Sequence, residues 1–184
     1  MKTFIIGGGN SITDETYRAL EAYDDKFVFC VNTTFKYIEP DALVWIDSDV
    51  YVKEKEHIDK LDCLKYTRYN PICENKDIQF ITPTDDVEEG LPKAYCGLRN
   101  RGWFSGVCAI SLALSLGHED IYLLGFDGGE INGKLHHHNE SRNKDVFSIT
   151  LKQYEPFRGK PITNLSPDSQ ITVFKKDELK NVLY

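Results

Sequence analysis

The chain has 184 residues, enough for one well-buried core and too few for two large domains. Its 41% apolar and 28% charged residues are ordinary for a globular protein, while a net charge of −7 excludes the basic face of a general nucleic-acid binder. No apolar stretch reaches the ~18 residues of a membrane span, and the N-terminus enters a strand directly, so a cytoplasmic location without a signal peptide is expected.

Taken in chain order, Lys2 to Ile6 is a β-branched and aromatic run ending in Gly7-Gly8-Gly9, the pattern of a buried strand and a tight turn. Ser11 and Asp14 stand three apart as a variant capping box, and Tyr17, Leu20 and Tyr23 repeat at helical spacing. Lys26 to Val31 predicts a second strand, with Asn32 at its end, and Ala42 to Ile46 a third, with Asp47-Ser48-Asp49 at its end. Val50 to Leu61 reads as a polar helix. Residues 63–98 carry Pro71, Pro83, Pro92 and an acidic patch, and are expected to form a less regular insert or lid of short strands and loop. Phe104 to Leu116 is apolar on nearly every side, as a buried helix should be, and Gly117 supplies its stop. Ile121 to Leu124 is a further strand, ending in Gly125-Phe126-Asp127. Val146 to Phe157 predicts a helix, Pro161 to Asn164 and Ile171 to Phe174 late strands, and Lys176 to Leu183 a terminal helix.

This alternation predicts one α/β domain over residues 1–184, a Rossmann-like three-layer fold with a mostly parallel central sheet. The five cysteines, Cys30, Cys63, Cys73, Cys96 and Cys108, are odd in number and lack zinc-knuckle spacing, so all are read as reduced.

Parallel sheets gather ligand contacts at the carboxyl ends of their strands. Gly7, Gly8, Gly9, Asn10, Ser11, Asn32, Asp47, Asp49 and Asp127 all stand there. The three glycines admit close approach of a phosphate, and the following helix start offers free N–H groups. Neither common subclass fits, because Ile12 occupies the third small position of the dinucleotide fingerprint and no lysine follows the glycines. Ser105-Gly106 opens the buried helix as a second anion seat or an N-cap. Asp47-x-Asp49 has the form of a divalent-metal pair beside a diphosphate, and equally of a surface turn. In the run His136-His137-His138 a neutral imidazole can act as general base, and a solvated polar loop is the alternative.

Three blocks carry a resemblance: Phe4 to Ile12, Ser105-Gly106-Val107 running to Ile121 through Asp127, and Asn164-Leu165-Ser166-Pro167-Asp168-Ser169. Together with Cys30-Val31-Asn32, they resemble the bacterial sialyltransferases that use CMP-activated sialic acid, and also the 6-hydroxymethylpterin diphosphokinase-like proteins. The resemblance implies a nucleotide lined by Gly7, Gly8, Gly9, Asn32, Ser105 and Gly106, with Ser166 and Ser169 closing the other side. It also implies that one histidine of 136–138 deprotonates an acceptor hydroxyl. The expectation is a nucleotide-dependent transferase taking a sugar-nucleotide donor and a small-molecule or glycan acceptor. A Mg²⁺-dependent diphosphokinase acting from ATP and a non-catalytic nucleotide-binding protein stay open beside it, and so does assembly into homo-oligomers.

Overall fold

The computed structural model describes residues 1–68, 72–73, 75–84, 93–95, 104–130 and 151–184. These form a nine-stranded sheet in the order β6-β5-β4-β3-β2-β1-β7-β8-β9, with every neighbouring pair parallel. The strands are β1 (Lys2–Ile6), β2 (Lys26–Val31), β3 (Ala42–Trp45), β4 (Leu64–Arg68), β5 (Ile78–Thr84), β6 (Lys93–Tyr95), β7 (Ile121–Leu124), β8 (Ile162–Asn164) and β9 (Lys175–Lys176). The helices are α1 (Asp14–Glu21), α2 (Ser48–Lys60), α3 (Ser105–Ser115) and α4 (Leu179–Leu183). Thus the α/β fold with a parallel central sheet is as expected. Within the irregular 63–98 stretch, β4, β5 and β6 extend the sheet itself.

The central strands read as continuous apolar runs because both their faces are covered. In β1, Ile5 faces a layer containing α3, while Phe4 and Ile6 face the layer of α1, α2 and α4, and all three are fully buried. On the α3 side, Val107, Ile110 and Leu112 pack with Phe29, Val44 and Leu123. On the other side Leu20, Tyr51 and Ile58 pack with Val28, Leu43 and Trp45. α3 is apolar around its circumference, as its sequence requires. It ends in a paired cap in which Gly117, at φ +83°, sends its N–H to Leu114 and His118 sends its N–H to Ala113.

Several local expectations need correction. Thr13, not Ser11, caps α1, and it exchanges hydrogen bonds with Thr16 in a capping box. Ile171 to Phe174 is not a strand. The Ser169 hydroxyl takes the Ile171 N–H at 3.1 Å and the Asp127 carbonyl takes the Gln170 N–H at 2.7 Å, so these donors are lost to a ladder. The strand falls instead at Lys175–Lys176, which shortens the terminal helix to α4. Within the predicted helix at 146–157, residues 146–150 lie outside the described residues, Leu151 and Lys152 are helical, and Glu155–Phe157 is a 3-10 turn.

Candidate nucleotide site at the switch point

Strand order grows from β1 in both directions, through β2 on one side and β7 on the other. The loops after such a pair diverge and leave a crevice at the carboxyl edge, where open α/β sheets bind ligands. Register sets Ile6 beside both Cys30 and Leu124, so the turns after β1, β2 and β7 leave the sheet at one level.

The glycine turn is packed against the β7 loop. A Cβ on Gly7 would lie 2.8 Å from the Gly125 carbonyl oxygen, and one on Gly9 would lie 2.5 Å from both that oxygen and Asp127 Oδ2. Gly125 adopts φ +68° and reciprocates, since its own Cβ would meet the Gly7 carbonyl at 2.5 Å. Here the glycines let two loops touch. The N–H groups of Gly7 and Gly9 donate to Leu124 and Gly125, and that of Ser11 donates to Asp127 Oδ2 at 3.0 Å. Ser11 Oγ lies 2.7 Å from Ser166 Oγ, tying the turn to the loop after β8.

A third loop is sewn to the same place. Buried Asn164 donates from Nδ2 to the Phe126 carbonyl at 2.9 Å and to Ser169 Oγ at 3.0 Å, and Ser169 Oγ donates to that carbonyl at 2.6 Å. Ser169 is therefore a structural hub, buried beneath the loops.

α3 starts at the same rim. Ser105 accepts the Ile46 N–H through its hydroxyl at 3.1 Å, which joins the helix start to the end of β3. Ser105 is thus the first helical residue and not the cap. Phe104 holds the cap position without a side-chain hydrogen bond. A Cβ on Gly106 would meet the Phe126 ring at 2.9 Å, and one on Gly7 would meet the same ring at 3.1 Å. One aromatic ring thus links the glycine turn after β1 to the start of α3, so the two share an edge. α2 also opens there, with Asp47 at the cap position making no side-chain cap bond and Asp49 in the first turn. Both carboxylates are exposed. Among the described residues no cluster of three His, Cys, Asp or Glu has metal-binding proximity.

No protein-family model matches the chain, and no curated protein matches it in sequence. Among solved structures, the MAf glycosyltransferase from Magnetospirillum magneticum AMB-1 superposes with a TM-score of 0.66 at 16% identity, covering 96% of this chain. The fold is shared with a glycosyltransferase. This chain spans 33% of that protein's length. The sialyltransferase CstII from Campylobacter jejuni, solved with cytidine-5'-monophosphate as a substrate analogue, has a TM-score of 0.46 at 18% identity. That match covers 95% of this chain and 84% of the sialyltransferase.

Among the described residues, three side chains at this rim have buried polar atoms without a hydrogen-bond partner: Asn10 Nδ2, Asn32 Oδ1 and Asp127 Oδ1. They follow β1, β2 and β7, three adjacent strands. Asn32 holds φ +57°, a left-handed conformation that costs an L residue energy. Its N–H is pinned to Val44 at 2.9 Å, and Thr34 Oγ1 accepts the Val31 N–H and lies 3.1 Å from the Ile6 carbonyl. Trp45 Nε1 is also unpartnered, but it belongs to the core under α2, stacked on Tyr51.

Residues 136–138 lie outside the described residues. Thr34 was missed in the sequence, whereas Gly125, Phe126 and Asn164 stand in the motif blocks quoted there but were given no role at the site. Arg68, at the end of β4, was missed as well. Its Nε donates to the Ile46 carbonyl at 3.0 Å, beside the residue that holds Ser105.

Of the described cysteines, Cys30, Cys63, Cys73 and Cys108 are free. Burial pushes the Cys30 thiol up to about 12 and Cys63 up to about 11, which leaves neither a reactive thiolate. No helix among the described residues is long and apolar enough to cross a membrane.

Proposed function

We propose that this chain is a glycosyltransferase domain that holds a nucleotide-activated sugar at the β1–β7 switch point. The observation that carries this reading is the set of unpartnered buried atoms on Asn10, Asn32 and Asp127. A buried polar group without a partner costs roughly 1–3 kcal/mol, and a ligand that satisfies three of them recovers much of that cost. The residues of the glycine turn, Gly7 through Ser11, form the floor, with Asn32 and Asp127 on either side. Ser105 and Gly106 offer the phosphate the uncapped start of α3, whose peptide dipoles favour negative charge. Ser166 and Ser169 hold the far wall. The shared fold and the motif resemblance support glycosyl transfer as the chemistry.

In this reading the acceptor's attacking hydroxyl loses its proton to a histidine of 136–138, which follows the β7 loop in the chain. The nucleotide leaves with the electrons of the broken glycosidic bond. If a divalent ion takes part, Asp47 and Asp49 at the start of α2 are the pair to hold it.

The test is a thermal-shift and calorimetric screen of CMP, UDP, GDP, ATP and their sugar conjugates, with and without Mg²⁺, followed by transfer assays. A stabilising nucleotide together with sugar transfer supports the reading, and the absence of any nucleotide-dependent shift overturns it. Alanine at the essential one among His136, His137 and His138 should cut turnover by about 10²–10⁴ while leaving donor affinity in place. Three alanine variants with unchanged turnover would rule out the histidine base.

A further inference from the structure

The glycine turn already carries a carboxylate of its own. Asp127 is 3% exposed, and its Oδ2 accepts the Ser11 N–H at 3.0 Å, at the end of the glycine turn. The alternate amides of the turn, on Gly7 and Gly9, are spent on Leu124 and Gly125. A phosphate brought here would meet a buried carboxylate of like charge and few free donors. What the turn does offer is neutral: the Asn10 amide nitrogen as donor and, on the neighbouring strand, the Asn32 carbonyl oxygen as acceptor.

Asn10 stands between two residues that Asp127 fixes. Gly9 lies so close that a Cβ would fall 2.5 Å from the carboxylate, and Ser11 is hydrogen-bonded to it. Building on the nucleotide site proposed above, we infer that Asp127 is a positioning residue that excludes phosphate from the glycine turn. It holds Asn10 to read the uncharged nucleoside half of the ligand. The phosphate must then be held elsewhere along the rim.

The experiment compares nucleosides with their 5'-monophosphates, cytidine and CMP first and then the uridine, adenosine and guanosine pairs. Binding is measured calorimetrically to the full chain and to Asn10→Ala, Asp127→Ala and Asp127→Asn. Asn10→Ala and Asp127→Ala should each weaken the nucleoside about three- to tenfold. Asn10→Ala should leave the nucleoside-to-nucleotide affinity ratio unchanged, whereas Asp127→Ala, which removes the like charge, should shift that ratio toward the monophosphate. Asn at 127 keeps an acceptor for the Ser11 N–H and should restore most of the binding. Adding Asp127→Ala to Asn10→Ala should cost the nucleoside less than Asp127→Ala costs alone, as expected when one residue acts in part through the other. A loss confined to the monophosphate, or additive losses, would overturn the inference while leaving the nucleotide site standing. Failure of every nucleoside and nucleotide to bind would remove both. Should the Asp127 variants not fold, the amide resonances of Asn10 and Ser11 in the unaltered protein decide the matter. They should shift with nucleoside, and a shift that needs the phosphate counts against the inference.

Discussion

Gly9 and Asn32 show how single positions serve the site in opposite ways. Gly9 is a packing requirement, so Gly9→Ala forces a Cβ onto Asp127 Oδ2 and the Gly125 oxygen, both at 2.5 Å. The expected loss is about 1–3 kcal/mol of stability, read from the midpoint of urea unfolding, with ligand affinity falling alongside as the turn shifts. Asn32 is the reverse case. Its left-handed backbone and unpartnered carbonyl oxygen burden the free protein. Asn32→Gly removes both and should raise stability by about 1 kcal/mol while weakening the nucleotide, a trade that unfolding and binding curves on one variant will show. Both residues stood out in the sequence as candidates for the site. The reason for the glycine did not, because the partner it accommodates lies more than a hundred residues further along the chain.

The elements behave largely as their local chemistry dictates, and departures arise where a side chain serves two masters. α1 takes its cap from Thr13 because Ser11 is engaged elsewhere, its N–H by Asp127 and its hydroxyl by Ser166. Thr13→Ala should therefore cost about 1 kcal/mol, whereas Ser11→Ala should leave the helix start intact and loosen the rim instead. Thermal unfolding combined with amide exchange at Thr16 separates the two. Just past the end of α3, His118 packs against the rings of Phe27 and Phe29, with Nδ1 2.6 Å from the Thr3 hydroxyl. Burial lowers its pKa below the usual histidine value. The unfolded chain then binds a proton more readily than the folded one, so stability present above the unfolded pKa of about 6.5 falls as pH drops through it. Across pH 7 to 5 the unfolding free energy should decline, and His118→Gln should flatten part of that decline. An identical slope in the variant would show that His118 contributes nothing to it.

At the scale of the whole molecule, the sheet order decides which loops meet. β1 lies between β2 and β7, and their loops, with that after β8, close on one rim through Asp127, Ser11, Ser166 and Ser169. Since that rim keeps polar groups unpaired, ligand binding should stabilise the entire fold. A nucleotide at a hundred times its dissociation constant is expected to add about 2.7 kcal/mol, or about 5–10 °C in a thermal scan for a chain of this length. A nucleotide that binds by calorimetry without raising the transition would place it outside this cooperative unit.

The amino-acid pattern alone determined that this is an α/β chain with a parallel sheet, since hydrophobic periodicity and glycine punctuation are local properties. It located β1, β2, β7 and α3 almost to the residue, and it nominated Asn10, Asn32, Asp127 and Ser105 by their place at strand and helix ends. Only the tertiary structure decided that β4, β5 and β6 extend the sheet, because their short and irregular runs gain strand character from neighbours and not from their own composition. It likewise assigned the Ser11 amide to Asp127 and the Ser169 hydroxyl to the β7 loop. Hydrogen-bond partners far apart in sequence leave no periodic trace, and they are chosen only when the packed sheet brings their loops within reach.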